Sequence, residues 1–536
     1  MTKATTLAPS PGCDELSPDV ELSRQQHGLT ARPWSNDAGR DHRLGTEQWI
    51  ARRELARRPS GVGHLRHRQL LALARLQDPG SDSVRAVPAP VRVVRNSLGR
   101  ARRRAGGWST PLLVVSGTLI TTAALLGRQR AVSAWDTVWA EDGSVFLADA
   151  LERPLSTTLV QPHGGYLHLP PRLAAATAAS LPLEWAAIVL SLAWAFVVAL
   201  LATFVYFASA SVLRARTTRV ALSMLVALLP AAGSELLGNT INLHFYLVFA
   251  CFWAFVWRSD APVALAARSV VAGAAALSDP VSAVLVPVAL WSALSRRRRR
   301  ALVVPAVFAL GLIAQLAAIA ATDGGPQRLT RFDPGSLPLL FALRVAGSLV
   351  VGDRFLDELW LTFGAAFAYA ALSAVVIALV VQARGVTRRT RAFVAVCAAY
   401  APVLFGLYLF GRGSGGMRPG VSEETWHLAG ARFTYAPILF LAAALLTVAD
   451  RRLAGVANGT RLRGEVVAVA LVTALVAANF AFQSERSLGP TWGAELAAAR
   501  GRCASGQDEA RLLVAPAPFE FRLIAKCSRL GYSPQP

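Results

Sequence analysis

From residue 108 onward the chain alternates long apolar runs with short polar connections. The runs lie at 108–127, 185–208, 219–235, 242–257, 265–278, 281–294, 301–321, 359–382, 392–411, 432–449 and 464–483. Roughly 20 apolar residues in a helix cross the ~30 Å of hydrocarbon in a bilayer. A helix also satisfies its own backbone there, which irregular chain cannot do. The pattern therefore predicts an all-α polytopic transmembrane bundle of about 11 spans. The two runs flanking Asp279 are short for this purpose. Residues 169–181, broken by Pro170, Pro171 and Pro182, and residues 338–351 suit interfacial or re-entrant helices better than spans.

Two regions fall outside the repeating pattern. Residues 1–107 are polar, rich in Arg, Pro, Gly and Ser, and lack an apolar stripe, which predicts a disordered basic cytoplasmic region. Residues 484–536 follow the last run and form a small extracytoplasmic C-terminal region, with a helix-like AELAAAR and a strand-like RLLVAP. No cleavable secretory signal opens the chain. Arg100, Arg102, Arg103 and Arg104 directly precede the first run and mark it as a signal anchor with its N-terminus in the cytoplasm.

Charge sets the orientation. Alternate connections carry Arg214, Arg216 and Arg219; Arg258 and Arg268; Arg296 to Arg300; Arg384, Arg388, Arg389 and Arg391; and Arg451, Arg452, Arg461 and Arg463. The intervening connections are longer, Gly- and Pro-rich and mixed in charge. Arginine-rich short loops stay in the cytoplasm, so the N-terminus is expected inside and the C-terminus outside.

Composition agrees. The chain is 54% hydrophobic and 16% charged, whereas soluble proteins carry about 25% charged residues. The net charge of +22 would suit nucleic-acid binding, but the arginines sit in the short loops where topology requires them. Nucleic acid is not an expected partner; the lipid bilayer is. Lys3 and Lys526 are the only lysines, a bias typical of GC-rich coding. Cys503 and Cys527 both lie in the outer tail, where an oxidising compartment permits a disulfide. Cys13, Cys251 and Cys397 have no metal-ligand spacing.

The unusual polar residues collect on the outer face. Glu141 and Asp142 stand in WAEDGSVFLADA, in a long first outer loop spanning 128–170. Adjacent carboxylates are expensive to hold near lipid and suggest a site, although Glu141 could also cap a surface helix. The same loop carries His163 and His168 in QPHGGYLHLPPR, where Gly164 and Gly165 permit tight turns near a ligand. Asn239, Asn242 and His244 open a later run in GNTINLHFYL, either as ligand contacts or as groups satisfying a helix end. Asp279 sits at the next outer turn and could equally be a helix cap. Arg328, Arg331 and Arg432 lie outside, against the topological bias, with Tyr435 three residues after Arg432.

An acidic pair in the first outer loop, followed by many spans and an outer RFTYAP string at 432–437, resembles the GT-C superfamily of membrane glycosyltransferases. The resemblance covers roughly residues 108–483. Two features depart from that pattern: there is no large soluble C-terminal domain, and no subfamily of known substrate matches. The resemblance implies a polyprenyl-phosphate sugar donor and inverting transfer with Glu141 or Asp142 as catalytic base; the arginine-rich, actinobacterial-looking composition suggests an envelope glycan or glycolipid acceptor. Positive charge from Arg328, Arg331 or Arg432 would meet the leaving phosphate. His163, His168, Asn239, Asn242, His244, Asp279 and Tyr435 would complete substrate binding. The second carboxylate could orient the first or hold a divalent metal such as Mg or Mn. Other classes remain open: a transporter or flippase of lipid-linked sugars, which would want charge at mid-membrane, and a non-enzymatic envelope scaffold.

Overall fold

The computed structural model describes residues 111–231, 233–295, 299–322, 333–412, 430–456, 458–481, 485–516 and 521–532. All belong to one unit, residues 97–536. The region 1–107 and the residues Arg328 and Arg331 lie outside the described residues.

The principal helices are α1 (Pro111–Leu126), α2 (residues 140–152), α3 (Leu169–Ala179), α4 (Ala186–Ala208), α5 (Arg216–Leu228), α6 (Leu243–Val256), α7 (Pro262–Ala276) and α8 (Val286–Leu294). They continue through α9 (Val303–Ala320), α10 (Pro334–Val351), α11 (Ala365–Ala383), α12 (Arg388–Arg412), α13 (Tyr435–Leu453) and α14 (Asn458–Ala478). Among the described residues six helical segments are long and apolar enough to cross a membrane: Leu183–Ser211, Arg299–Ala320, Pro334–Val351, Ala365–Ala383, Arg388–Gly411 and Ala431–Leu453. The protein is therefore a helical membrane protein.

Two departures have local causes. The run 219–235 breaks at Leu228 because Pro230 holds Leu229 in extended backbone, at φ −48° and ψ 128°. The remaining α5 is only ~20 Å long, short of a full crossing. Residues 338–351, expected to be too short, start earlier: Asp333 accepts from Gly335 N and caps a turn at Pro334 that lengthens α10 to 18 residues. Both ends of α10 nevertheless lie toward one end of the bundle. Phe341 packs on Phe405, late in α12, while Val351 O accepts from Asn479 and Pro230 O from Asp353 N.

Burial sorts the helices. α6 is apolar all round and every one of its residues is buried, the signature of a helix enclosed by others. In Ala431–Leu453 89% of the apolar window is buried, against 22% in Ala365–Ala383, so α13 is central and α11 presents its apolar side to lipid.

The C-terminal segment folds as α15 (Trp492–Ala504) beside an antiparallel pair, β1 (Glu509–Leu513) and β2 (Arg522–Lys526), with Glu509 opposite Lys526. Both strands alternate exposed and buried positions, so Ala510, Leu512, Leu523 and Ala525 face one small core with Leu496 and Ala499. Cys503 and Cys527 are disulfide-bonded at a Cα–Cα distance of 5.5 Å. Trp492 Nε1 donates to Leu183 O at 2.9 Å, and Ala515 bridges the strand before α2 through Ala140 N to Ala515 O at 2.6 Å and Ala515 N to Val138 O at 2.9 Å. Closing a loop of this size contributes about 3 kcal/mol. The Cys503→Ser/Cys527→Ser protein is thus expected to lose protease resistance within residues 485–532 first, as measured by limited digestion; an unchanged digestion pattern would contradict this.

Candidate active site

The acidic pair lies on α2, whose first turns widen to π-helical geometry over Asp142–Leu147. Gly143 allows this helix to seat closely: a Cβ there would meet Val138 Cγ1 and Val514 Cγ1, each at 2.8 Å. Asp142 is buried, and its carboxylate is fully engaged with the turn before α6. Thr240 Oγ1 donates to Oδ1 at 2.7 Å, Ile241 N to Oδ1 at 3.1 Å, and Thr240 N to Oδ2 at 2.8 Å. Burial pushes its pKa up to about 6, the Thr240 bonds and Arg486 opposing and Glu141 adding to the rise. Glu141 is half-buried and makes no capping bond with its side chain. Its carboxylate is the more available of the two.

The turn at 235–242 is a hub. Asn239 Nδ2 and Asn242 Nδ2 both donate to Glu235 O, at 3.1 and 2.8 Å. The Glu235 carboxylate reaches the other way, accepting Gly430 N at 3.0 Å and Arg432 N at 3.1 Å, with Arg432 Nε 3.8 Å away. Gly238, at φ +67°, lies directly against the Arg486 guanidinium. Arg486 is fully buried and donates to Thr137 Oγ1 at 2.7 Å, Thr137 O at 2.6 Å and Ser191 Oγ at 2.8 Å. Burial lowers its pKa to about 10, opposed by Asp142. Asp142, Glu235, Arg432 and Arg486 thus meet around the one turn at 235–242.

Beside it stands an aromatic cluster. His168 Nε2 lies 3.1 Å from His163 O, and its ring centroid is 4.2 Å from Tyr166 and 6.1 Å from His244. Phe146, one turn after Asp142, approaches both His163 and His168, at 5.5 and 5.6 Å. The Arg172 guanidinium sits 4.8 Å over the Phe146 ring and donates to Asp149 at 2.5 Å. Phe146, Tyr166, His168 and His244 are buried, so these rings pack chiefly against one another.

No family model and no curated protein matches the chain. Among solved structures it is similar to the Archaeoglobus fulgidus oligosaccharyltransferase, crystallised with Zn and sulfate, at 16% identity and a TM-score of 0.34. The match covers 73% of this chain and 55% of that one, so the chain spans about half the length of that protein. A likeness of that size does not assign the fold.

Several residues expected at the site serve the framework instead. Tyr435 is fully buried in the bundle, its hydroxyl donating to Val226 O at 2.5 Å and its ring 4.3 Å from Tyr246, so it faces the core rather than a ligand. Asn239 and Asn242 spend their amide N–H groups on the helix-end carbonyl of Glu235. Asp279 caps the turn before α8 by accepting Val281 N at 2.8 Å, and also accepts the Tyr408 hydroxyl at 3.2 Å. Gln315, a polar group inside α9, accepts Leu167 N at 3.2 Å and anchors the His168 loop. Among the described residues no group of three or more His, Cys, Asp or Glu stands where it could hold a metal ion. Glu235, Thr240, Arg172 and Arg486 enter the site without having been singled out. Arg486 carried a usable signal, being an arginine in a connection expected, like that of Arg432, to lie outside.

Proposed function

We propose that the protein is a membrane glycosyltransferase that moves a sugar from a polyprenyl-phosphate donor to an envelope glycan or glycolipid on the outer face. The observation that carries this reading is the clamping of Asp142 onto the Thr240–Ile241 turn, which leaves the neighbouring Glu141 half-buried, without a capping bond and on the same helix as Phe146 of the aromatic cluster. Asp142 positions α2. Glu141 takes the proton of the acceptor hydroxyl as its oxygen bonds to the anomeric carbon. The bond from that carbon to the donor phosphate breaks with inversion, and the lipid phosphate leaves. Arg432, 27% exposed and reached by Glu235, is the cation placed to meet that phosphate.

An isoprenoid-tailed donor accounts for a sugar-transfer site at the end of a lipid-embedded bundle. Purified protein incubated with labelled polyprenyl-phosphate sugars and, separately, with sugar nucleotides is expected to turn over only the former. Turnover of nucleotide donors alone would remove the proposal.

The orientation belongs to the same reading, with the N-terminus inside and the acidic helix and C-terminus outside. Reporter fusions after residues 160, 300, 390 and 536 should read outside, inside, inside and outside. An inside signal at 160 would place Glu141 in the compartment of soluble nucleotide donors.

A further inference from the structure

At the end of the bundle opposite Asp142 lies a cavity of about 1350 Å³. Chain direction fixes its place: α4, α6 and α13 each begin beside the candidate active site, and they run to the cavity at Ser211, Val256 and Arg451. Arg214, Arg258, Arg389 and Arg451, contributed by four separate connections, line it. Phe252, Trp291 and Tyr400 supply an apolar wall.

Topology alone calls for arginines at this end; here Arg214, Arg258 and Arg389, though exposed, and the half-buried Arg451 also stand around one concave space. Among the described residues none of the four guanidinium groups is ion-paired. Asp450, beside Arg451, is turned away: its carboxylate accepts Arg214 N at 2.9 Å, Ala215 N at 2.8 Å and Thr218 Oγ1 at 2.9 Å. Asp260 lines the same cavity and is the one carboxylate among its lining residues. Arg451 Nη2 donates to Val212 O at 2.5 Å, while its buried Nε has no hydrogen-bond partner. Arg258 lies 5.9 Å over the Trp291 ring, and burial, followed by the nearby charge of Arg389, lowers its pKa. Like charges gathered in a partly desolvated concavity favour an anion between them.

We propose that this cavity binds the phosphate headgroup of a membrane lipid, with the guanidinium groups around the phosphate and the tails leaving across Trp291 and Tyr400. A free phosphate would use the arginines and leave the aromatic wall idle; a lipid uses both. Leu290 and Leu294, 56% and 83% exposed on α8, extend the apolar surface outward from Trp291. The site is separate from the proposed transfer chemistry and stands without it.

Native mass spectrometry of the full chain in neutral maltoside detergent reads this directly. Dioleoylphosphatidic acid should be retained, and dioleoylglycerol and inorganic phosphate should not be retained at the same concentration. The Arg258→Gln/Arg389→Gln protein should bind the phosphatidic acid at least about tenfold more weakly. Arg216→Gln/Arg384→Gln, which removes equal charge at the same end outside the cavity, should stay within about twofold. Val396→Trp narrows the cavity, spares every arginine and should also release the lipid, so it decides the matter if the double variant does not fold. Equal weakening in both double variants, inorganic phosphate binding as tightly as the lipid, or undiminished retention by Val396→Trp would each overturn the proposal.

Discussion

Glu141→Gln is expected to reduce sugar transfer by on the order of 10²-fold or more while leaving the melting temperature unchanged. The amide keeps the size of the side chain and removes only its basicity, and the carboxylate caps nothing that the fold needs. Asp142→Asn should behave differently. Its carboxylate accepts three hydrogen bonds, two of them from backbone N–H groups that amide nitrogen cannot accept. Opposing N–H groups would loosen the Thr240 turn, so activity and melting temperature should fall together. A Glu141→Gln protein with normal turnover would end its assignment as base.

Asp142 also carries a pH signature of definite sign. Its folded pKa of about 6 lies above the ordinary aspartate value of 3.8. The folded state therefore holds the extra proton between those values and loses stability as pH rises through them, by roughly 3 kcal/mol for a change of this size. The wild-type melting temperature should fall from pH 4 to pH 7 by more than that of Asp142→Asn. Parallel pH profiles for the two proteins would contradict the burial of this carboxylate.

Gly238→Ala should be among the most damaging small substitutions in the protein. The position has φ +67°, which disfavours any side chain, and a Cβ would press on the Arg486 guanidinium. A loss of about 2–4 kcal/mol is expected, since backbone strain and displacement of a buried charge act together. Arg486→Ala should cost a similar amount by stranding Thr137 O and Ser191 Oγ. It should also raise the Asp142 pKa further, because Arg486 opposes that rise. Gly501→Ala is the control: it lies in α15 with nothing within 4 Å of the added Cβ, and helix propensity predicts a gain of about 0.5–1 kcal/mol. Thermal melts in detergent compare the three, and a Gly238→Ala protein that melts like wild type would show that Arg486 yields freely.

The membrane character and the position of the acidic pair were legible in the sequence because both depend on local composition. A long apolar run reports its own burial, and a carboxylate beside one is conspicuous. What each polar residue touches was not legible. Tyr435 and Arg432 are three positions apart, yet one hydroxyl is spent inside the bundle on Val226 and the other side chain meets Glu235. Asn239 and Asn242 are close in sequence to Thr240, but only Thr240 reaches the carboxylate nearly a hundred residues earlier. Apolar content likewise said nothing of where a run would break; Pro230 did, by halting α5. The importance of Glu235 depends on bonds to residues 430 and 432, which no local pattern encodes.

The bridge between Ala515 and the strand at 138–140 has a consequence for the order of events in biosynthesis. α2 emerges from the ribosome among the earliest of the ordered segments, whereas the segment that pairs with its leading strand and packs Val514 against Gly143 is among the last. Membrane insertion can thus be finished while the acidic helix still lacks its final support. On the proposed orientation, competence of the site is deferred until the tail has been delivered across the bilayer and its cysteines joined. A chain stalled or clipped before residue 485 would carry every principal membrane helix and still be unable to hold Glu141 in place.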